Sequence, residues 1–254
     1  MKKIELEKLK KNYSKNGWAL HKKIFTKKEV NEINSKIDRF LEKNFRKYAG
    51  KTINFANKNK NSKSIKDINS FHQLSDSNYI RKKSKDKKIR TITKYLLNSK
   101  EKFMASELFA KPAQKGLPSP IHQDNFYWCV KGGNALTVWI ALDNVSSVNG
   151  GIQYYNESQK LGVVKHEPSF AKGSSQKVSN LRKYTNFKRV CPRLRAGDAL
   201  FHHCQIMHGS SSNNSGKRRR GLTFQFKDHY ARFDIKLKKQ YLSSLKKQIE
   251  LRNR

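Results

Sequence analysis

The first hundred residues carry apolar side chains at helical spacing. Residues 30–41 place one apolar stripe along a helix. The segment TKKE at Thr26–Glu29 has the pattern of a capping box, in which the Thr and Glu side chains satisfy amides of the first turn. A second helix is predicted near residues 86–98. The apolar positions are Val30, Ile33, Ile37, Phe40 and Leu41 in the first helix and Ile89, Ile92, Tyr95 and Leu96 in the second. Residues before Asn16 have a weaker helical pattern, and GWALHKKIF reads as a short strand.

From about residue 103 the pattern changes to short strands separated by Gly, Pro and Asn. The segments that predict strands are KFMASELFAKPA, SPIHQDNFYWCV, NALTVWIALDNV, GIQYY, GDALFHHCQIMHG and RGLTFQFKDHY. Residues 233–254 then predict a basic helix. Its apolar positions are Leu237, Tyr241, Leu242, Leu245 and Ile249. We interpret it as packed on the sheet, and a helix lying on a membrane surface is the weaker alternative.

Helices followed by many short strands favour a mainly β fold, a sandwich or jelly roll braced by helices. We expect one domain over residues 1–254, with a helical part at about 1–100, a β core at about 103–230 and the basic helix at 233–254. The polar, aperiodic residues 46–70 predict a mobile loop or lid, where substrate specificity is expected to lie. Residues 164–188 predict a longer polar connection.

Composition excludes several classes. The longest apolar run, Ala135–Leu142, is far shorter than a membrane span, and the N-terminus has no continuous apolar stretch typical of a signal peptide. The three cysteines, Cys129, Cys191 and Cys204, are scattered, which is typical of reduced thiols and not of a disulfide framework or zinc site. We therefore expect a cytoplasmic protein without a membrane partner.

The formal net charge of +37 raises the possibility of a nucleic-acid partner. The excess charge lies outside the central strands, because residues 103–163 hold four lysines and four acidic residues. A solvated basic exterior is the favoured interpretation, and a polyanionic partner remains the alternative.

One of the few carboxylates lies in SPIHQDNFYW, two residues after a histidine. In a strand, His122 and Asp124 would point to the same face and could share a metal. Such a pair alone is weak evidence, since most are surface residues or hydrogen-bonded pairs.

The segment FHHCQIMHG offers a third ligand. If it is one strand, His202 and His208 lie roughly 20 Å apart and cannot share an ion. His208, at the strand end, is the better choice, and His202 is expected to be a core or supporting histidine. Two His and one carboxylate are typical of non-haem Fe(II) oxygenases, whereas zinc more often takes three His or Cys. Arg219, on the next strand, could pair with a carboxylate co-substrate or belong to a basic surface patch.

These segments together resemble the phytanoyl-CoA dioxygenase superfamily of Fe(II)- and 2-oxoglutarate-dependent oxygenases. The resemblance covers about residues 16–228. It rests on NGWALHKKIFTKKEV, HQDNFYW, LTVWIALDNVSSVNGGI and GDALFHHCQIMHGSSSNNSGKRRRG. It implies a double-stranded β-helix, a cupin-like jelly roll, and a small-molecule substrate that is hydroxylated with O2 while 2-oxoglutarate becomes succinate and CO2. The basic surround of the chain weakly favours an anionic substrate.

The resemblance also implies residue roles. His122, Asp124 and His208 would be the catalytic centre and hold Fe(II). Arg219 would pair with the far carboxylate of 2-oxoglutarate, and Trp139 would line the co-substrate pocket. Lys111 would help to bind 2-oxoglutarate or substrate.

Two features of this chain depart from the family pattern, and one agrees with it. YYNESQKLG replaces the Gly-Ser-His stretch that commonly follows the Asn-Gly-Gly turn. Residue 221 is Gly where related oxygenases often have Ser or Thr beside the arginine, so Thr223 or Tyr127 is a candidate substitute. Asp124 is retained, whereas halogenating members carry a small residue there, and this favours hydroxylation.

Two other functions remain open at the sequence level. One is a nucleic-acid-binding protein that uses the Lys-rich flanks, with or without oxidative demethylation. The other is a catalytically silent jelly roll with a structural or sensory role.

Overall fold

The computed structural model describes residues 2–49, 51–56 and 64–252. Six helices are described: α1 Lys3–Asn16, α2 Lys27–Tyr48, α3 Asn78–Lys83, α4 Lys87–Leu97, α5 Asp124–Trp128 and α6 Ile235–Arg252. The first strands are β1 Trp18–His21, β2 Ile53–Phe55, β3 Ile68–Phe71, β4 Glu101–Lys111, β5 Ser119–His122, β6 Val130–Lys131, β7 Ala135–Ala141 and β8 Ile152–Tyr155. The remaining strands are β9 His166–Ala171, β10 Ser174–Val178, β11 Arg189–Val190, β12 Ala199–His203, β13 His208–Ser210, β14 Arg219–Asp228 and β15 Arg232–Phe233.

Two antiparallel sheets form the core. The major sheet has seven strands in the order β1-β12-β7-β14-β4-β3-β2, and the minor sheet has four in the order β11-β8-β13-β5. Strands β9 and β10 form a separate hairpin, and β6 pairs with β15. This arrangement confirms the expected mainly β, jelly-roll fold with flanking helices.

The helices cover one face of the major sheet. The predicted capping box is present, since the Glu29 amide donates to Thr26 Oγ1 at 3.3 Å and Glu29 Oε2 accepts from the Thr26 amide at 2.8 Å. Helix α2 buries its predicted stripe, Val30, Ile33, Ile37 and Leu41, and α4 buries Ile89, Ile92 and Leu96. Both stripes join one large apolar core with the outward-facing side chains of β4, β7, β12 and β14.

Two predicted loops contain regular structure. Helix α2 continues to Tyr48, and β2 and β3 extend the major sheet within residues 46–70, so the prediction of one long loop is wrong there. Residues 50 and 57–63 of that predicted loop lie outside the described part. The predicted connection at 164–188 is also wrong, because it contains the β9–β10 hairpin. These strands are short and lie at or next to the edge of the major sheet or in a two-stranded hairpin. They mix apolar residues with buried polar ones such as Asn69 and Ser70, so no apolar alternation marks the sequence.

The C-terminal helix forms as predicted but packs with fewer residues. Leu237 is buried and Tyr241 packs against Phe126, whereas Leu242 and Ile249 are about half exposed. In the part of the chain that the structure describes, no helix has the length and apolarity needed to cross a membrane.

Candidate active site

Two strands of the minor sheet bring the two predicted histidine ligands together. His122 on β5 lies directly opposite His208 on β13, and their ring centroids are 4.4 Å apart. Asp124 Oδ1 lies 3.7 Å from His122 Nε2 and 3.6 Å from His208 Nε2. One ligand atom from each of the three residues falls within 4.8 Å of the others. Two imidazoles and one carboxylate at this spacing fit Fe(II), which this donor set favours while leaving other coordination positions open.

Asp124 reaches the histidines from a helix and not from a strand. Strand β5 ends at His122, and Asp124 is the first residue of α5, so the prediction that both side chains share one strand face is wrong. The bend is held on both sides of Asp124. Gln123 Nε2 donates to Gln205 O at 2.5 Å, and the Asn125 amide donates to Cys204 O at 2.8 Å. The segment before His208 therefore positions the carboxylate against it.

Hydrogen bonds and pKa shifts leave the atoms of these three side chains that could bind a metal without a proton. His122 Nδ1 lies 2.8 Å from Pro120 O and His208 Nδ1 lies 3.0 Å from Ile206 O, so each Nδ1 carries the proton and Nε2 is free for a metal. Burial lowers the pKa of His208 to about 3, which keeps this imidazole neutral. Burial alone would raise the pKa of Asp124, but His208, His122 and His202 hold it well below its usual range. The carboxylate is therefore ionised.

The second oxygen of Asp124 has its own partners. Thr137 Oγ1 donates to Asp124 Oδ2 at 2.7 Å, and His202 Nε2 lies 3.2 Å from the same oxygen. On its other side, His202 Nδ1 lies 2.8 Å from the Tyr154 hydroxyl. Partners of this kind orient a metal ligand and tune its basicity.

His202 is much closer to the site than the sequence suggests. The segment FHHCQIMHG is two strands in two different sheets, β12 and β13, joined by a turn at residues 204–207. The ring centroids of His202 and His208 are 4.6 Å apart, so the prediction of roughly 20 Å between them is wrong. The expected supporting role of His202 agrees with its contact with Asp124.

The predicted co-substrate residues lie on the inner face of the major sheet. Arg219 on β14 is 1% exposed, and its Nε donates to Gly150 O at 3.1 Å and its Nη1 to Phe109 O at 3.3 Å. Its guanidinium lies 5.4 Å from the centre of the Trp139 ring. Arg219 is thus not part of a basic surface patch. The neighbouring Arg218 and Arg220 instead form ion pairs with Asp143 and Asp38.

Lys111 lies beside Arg219, directly opposite it on β4. Its Nζ donates to the backbone carbonyls of Ser210 and Ser211. Burial, and then the positive charge of Arg219, lowers the pKa of Lys111 to about 6, and burial lowers the pKa of Arg219 to about 10. Neither basic group forms a salt bridge with a carboxylate of the described residues, and two such buried groups favour the binding of an anion at this end of the cavity.

Residue 221 is Gly where related oxygenases often have Ser or Thr. In this structure the Trp139 ring occupies the space that a side chain at residue 221 would need. A Cβ at residue 221 would lie 1.9 Å from Trp139 Cζ2. A Ser or Thr there is therefore incompatible with this position of the tryptophan. Thr223, one of the two candidate substitutes, lies next along the same face and exchanges hydrogen bonds with the Glu107 backbone. Tyr127, the other candidate, bonds instead to the Gln176 backbone.

The candidate metal ligands and the predicted co-substrate residues line one cavity of about 340 Å³. Its walls hold the three candidate metal ligands together with Lys111, Trp139, Arg219 and Thr223. Sequence reasoning missed other polar residues of the same wall, namely His72, Glu107, Thr137 and Gln225. Strand alternation could have found two of them, since Glu107 shares a face with Lys111 on β4 and Gln225 shares a face with Arg219 on β14.

Comparison with known proteins identifies the family. Residues 13–221 match the family "Phytanoyl-CoA dioxygenase (PhyH)". A probable phytanoyl-CoA dioxygenase of Caenorhabditis elegans is 25% identical over 236 residues, which cover 88% of this chain and 74% of the relative. The peroxisomal phytanoyl-CoA dioxygenase of Bos taurus is 27% identical over 50% of this chain and 40% of its own length. The L-proline trans-4-hydroxylase of Streptomyces griseoviridis is 30% identical over 43% of this chain and 48% of its own length.

Solved structures agree on the fold. The non-haem α-ketoglutarate-dependent carbocyclase SnoK from nogalamycin biosynthesis superposes with a TM-score of 0.72 at 20% identity, covering 89% of this chain and 85% of its own. EvdO2 from Micromonospora carbonacea var. aurantiaca, solved with 2-oxoglutarate, superposes with a TM-score of 0.69 at 16% identity, covering 89% and 91%. The predicted fold, family and cofactor class are confirmed. The chain belongs to the phytanoyl-CoA dioxygenase family of iron- and 2-oxoglutarate-dependent oxygenases.

Proposed function

We propose that this chain hydroxylates a small molecule, using Fe(II), 2-oxoglutarate and O2 and releasing succinate and CO2. The observation that carries the proposal is the joint placement of two sites in one cavity. The triad His122, Asp124 and His208 lies in the same cavity as the buried pair Lys111 and Arg219. A metal site alone would serve many reactions, but a metal site beside a buried anion site suits a chelating dicarboxylate.

Each end of the cavity has a defined task in this proposal. His122, Asp124 and His208 hold the iron through two Nε2 atoms and one carboxylate oxygen. Arg219 binds the far carboxylate of 2-oxoglutarate with its planar fork, Lys111 adds a second cation, and Trp139 and Thr223 form the wall. Fe(II) and 2-oxoglutarate held by these residues would supply the activation of O2, with one oxygen atom going to the substrate and the other to succinate.

Hydroxylation is favoured over halogenation. Asp124 occupies a position that a halide ligand would require to be free, and Thr137 and His202 hold its second oxygen in place. Names among the relatives, such as L-proline trans-4-hydroxylase, fit the same outcome.

The test is substrate-dependent conversion of 2-oxoglutarate by the iron-loaded protein. We expect succinate to form in step with a product that has gained one oxygen atom from isotope-labelled O2. Asp124→Asn, which removes the ligand charge with little change of shape, is expected to abolish both. Asp76→Asn is the matched control, because Asp76 pairs with Tyr48 and Lys47 away from the cavity. Succinate formation that is equal in wild type and Asp124→Asn would contradict the proposal.

A further inference from the structure

A second polar cluster lines the cavity on strands β4 and β14 and at the end of β3, where His72 follows the strand. His72 Nδ1 lies 2.9 Å from Glu107 Oε1, and Gln225 Nε2 donates to Glu107 Oε2 at 2.9 Å. Because a carboxylate only accepts hydrogen bonds, His72 Nδ1 carries a proton in this pair. The Ser70 hydroxyl lies 3.3 Å from His72 Nε2. His72 and Gln225 together hold the Glu107 carboxylate in one orientation.

This cluster is connected to the candidate metal site through the sheet. Gln225 lies directly opposite Thr137 in the pairing of β14 with β7, and Thr137 donates to Asp124. A continuous polar row therefore crosses the inner face of the sheet from Asp124 to His72. Glu107 lies two strands from Thr137 and two residues further along, which places their Cα atoms roughly 12 Å apart. That span suits a compact substrate placed between Glu107 and the iron.

The β9–β10 hairpin covers the outer side of this cluster. A Cβ at Gly173, in the hairpin turn, would lie 2.5 Å from Ser70 Oγ and 3.1 Å from Asn54 Nδ2, so only glycine allows this close approach. Tyr127 fixes the hairpin from below, since the Gln176 amide donates to its hydroxyl at 3.0 Å. The cluster therefore faces a partly enclosed space and not open solvent.

The position of Glu107 is unusual for this chain. Only 19 acidic residues accompany 56 basic ones. Among the described residues that line the cavity, Glu107 and Asp124 are the two carboxylates. Each Glu107 oxygen accepts one hydrogen bond from the protein, and a carboxylate has about four acceptor positions, so positions remain for a ligand.

We propose that Glu107, held by His72 and Gln225, binds the protonated amine of a compact substrate and so sets which carbon faces the iron. The proposal rests on the proposed function and names its substrate class. An amine supplies donor hydrogens for the open acceptor positions of Glu107 and brings a positive charge to its carboxylate, beside the ion pair that Glu107 already makes with His72. The opposite end of the cavity, with Lys111 and Arg219, is reserved for the anionic co-substrate. The two ends therefore differ in charge preference.

The size of the cavity supports a compact substrate. A volume of about 340 Å³ is at the lower end of small-molecule sites, and it must also hold 2-oxoglutarate. The expected substrate is therefore an amine of about the size of an amino acid.

The test compares free amines with their acetylated forms as ligands of the holoenzyme. A panel of L-amino acids and their N-acetyl derivatives would be titrated calorimetrically into protein loaded anaerobically with Fe(II) and 2-oxoglutarate. We expect at least one free amine to bind, and its N-acetyl form to bind tenfold or more weakly. Glu107→Gln should weaken binding of the amine by tenfold or more and remove this discrimination.

Two variants serve as controls. Glu107→Asp keeps the charge and should retain the preference for the amine even if its affinity falls. Glu250→Gln makes the same chemical change as Glu107→Gln on an exposed face of α6, where Glu250 pairs with Lys246, and should bind as wild type does.

The outcomes separate this inference from the proposed function. Absence of any amine preference across the panel, or equal amine binding by wild type and Glu107→Gln, would overturn the substrate class while leaving the oxygenase intact. Failure of wild-type protein to bind 2-oxoglutarate in the presence of Fe(II) would instead contradict the proposed function itself.

Discussion

The two faces of the major sheet use the same strands for opposite purposes. On β14 the outward-facing side chains Leu222, Phe224 and Phe226 are buried in the apolar core under the helices. The inward-facing Thr223 and Gln225 on the same strand are almost as buried, yet they are polar and line the cavity. Burial alone therefore does not distinguish the core from the candidate site.

What distinguishes the faces is how their polar groups are satisfied. Buried polar groups cost free energy unless they are hydrogen-bonded, and the inward face meets this cost with specific partners. Arg219 donates to Gly150 O and Phe109 O, and Gln225 donates to Glu107. The outward face contributes apolar burial to stability, and the inward face carries the candidate site. Substitutions on alternate residues of one strand should therefore separate the two.

The largest expected effect is on the outward face. Phe224→Ala removes a fully buried ring from the core and is expected to lower the free energy of unfolding by about 3–5 kcal/mol. Urea denaturation would measure this loss. The affinity of the folded variant for 2-oxoglutarate should stay within about twofold of wild type, and a large loss of affinity would contradict the separation of the faces.

Arg219→Ala should show the converse behaviour. The loss of a bidentate, buried guanidinium partner is expected to weaken 2-oxoglutarate binding about 100-fold, from about two charged hydrogen bonds of 1.5–3 kcal/mol each with partial compensation by Lys111. Arg218→Ala is the matched control, because its side chain is about half exposed and pairs with Asp143. Equal binding by both variants in calorimetric titration would remove Arg219 from the co-substrate site.

Gly221 links stability to co-substrate binding within the inward face. Gly221→Ser would force the Trp139 ring to move, which is expected to cost about 1–3 kcal/mol of stability as overpacking does. The same movement should displace the wall beside Arg219 and weaken co-substrate binding. Urea denaturation and calorimetric titration on the same sample would check both. Unchanged stability and affinity would show that the ring has another position available.

The smallest effect is a pH dependence. The pKa of Lys111 is about 6 in the protein without co-substrate, so Lys111 is neutral at pH 8. Anionic 2-oxoglutarate favours its charged form, so binding should take up a proton above pH 6. The affinity should therefore fall as pH rises from 6, by at most about tenfold per pH unit, and level off below 6.

Calorimetric titration in two buffers of different ionisation enthalpy would count the protons taken up. Lys111→Met should abolish the uptake, because it keeps the length of the side chain and removes the titrating group. Uptake that persists in Lys111→Met would assign the effect to another residue.

Much of this site could be predicted from local sequence. HxD, a later His and an Arg eleven residues after it define the ligand types and their order. The helical spacing of apolar residues predicted α2 and α4. These features depend on residues close together in the chain, where spacing determines which side chains share a face.

The rest depended on long-range packing. The turn at 204–207 moves the chain from one sheet to the other, and nothing in the spacing of His202 and His208 indicates this change. The hairpin β9–β10 is polar and covers the cavity through the contact of Gly173 with Ser70. The candidate role of Glu107 depends on its contacts with His72 and Gln225, which are distant from it in sequence. The cytoplasmic location stays a prediction, and a nucleic-acid partner stays the less favoured alternative.

The most direct test of the account is an anaerobic absorption measurement with Fe(II) and 2-oxoglutarate. A weak visible charge-transfer band should appear in wild type only when both are present, as expected of a keto acid that chelates the iron. His208→Ala should lose the band, whereas His203→Ala should keep it, since His203 bonds to Asn134 and Gln205 on the other side of β12. A folded wild-type protein without the band, or a band that survives in His208→Ala, would contradict the assignment of His122, Asp124 and His208 as the iron site.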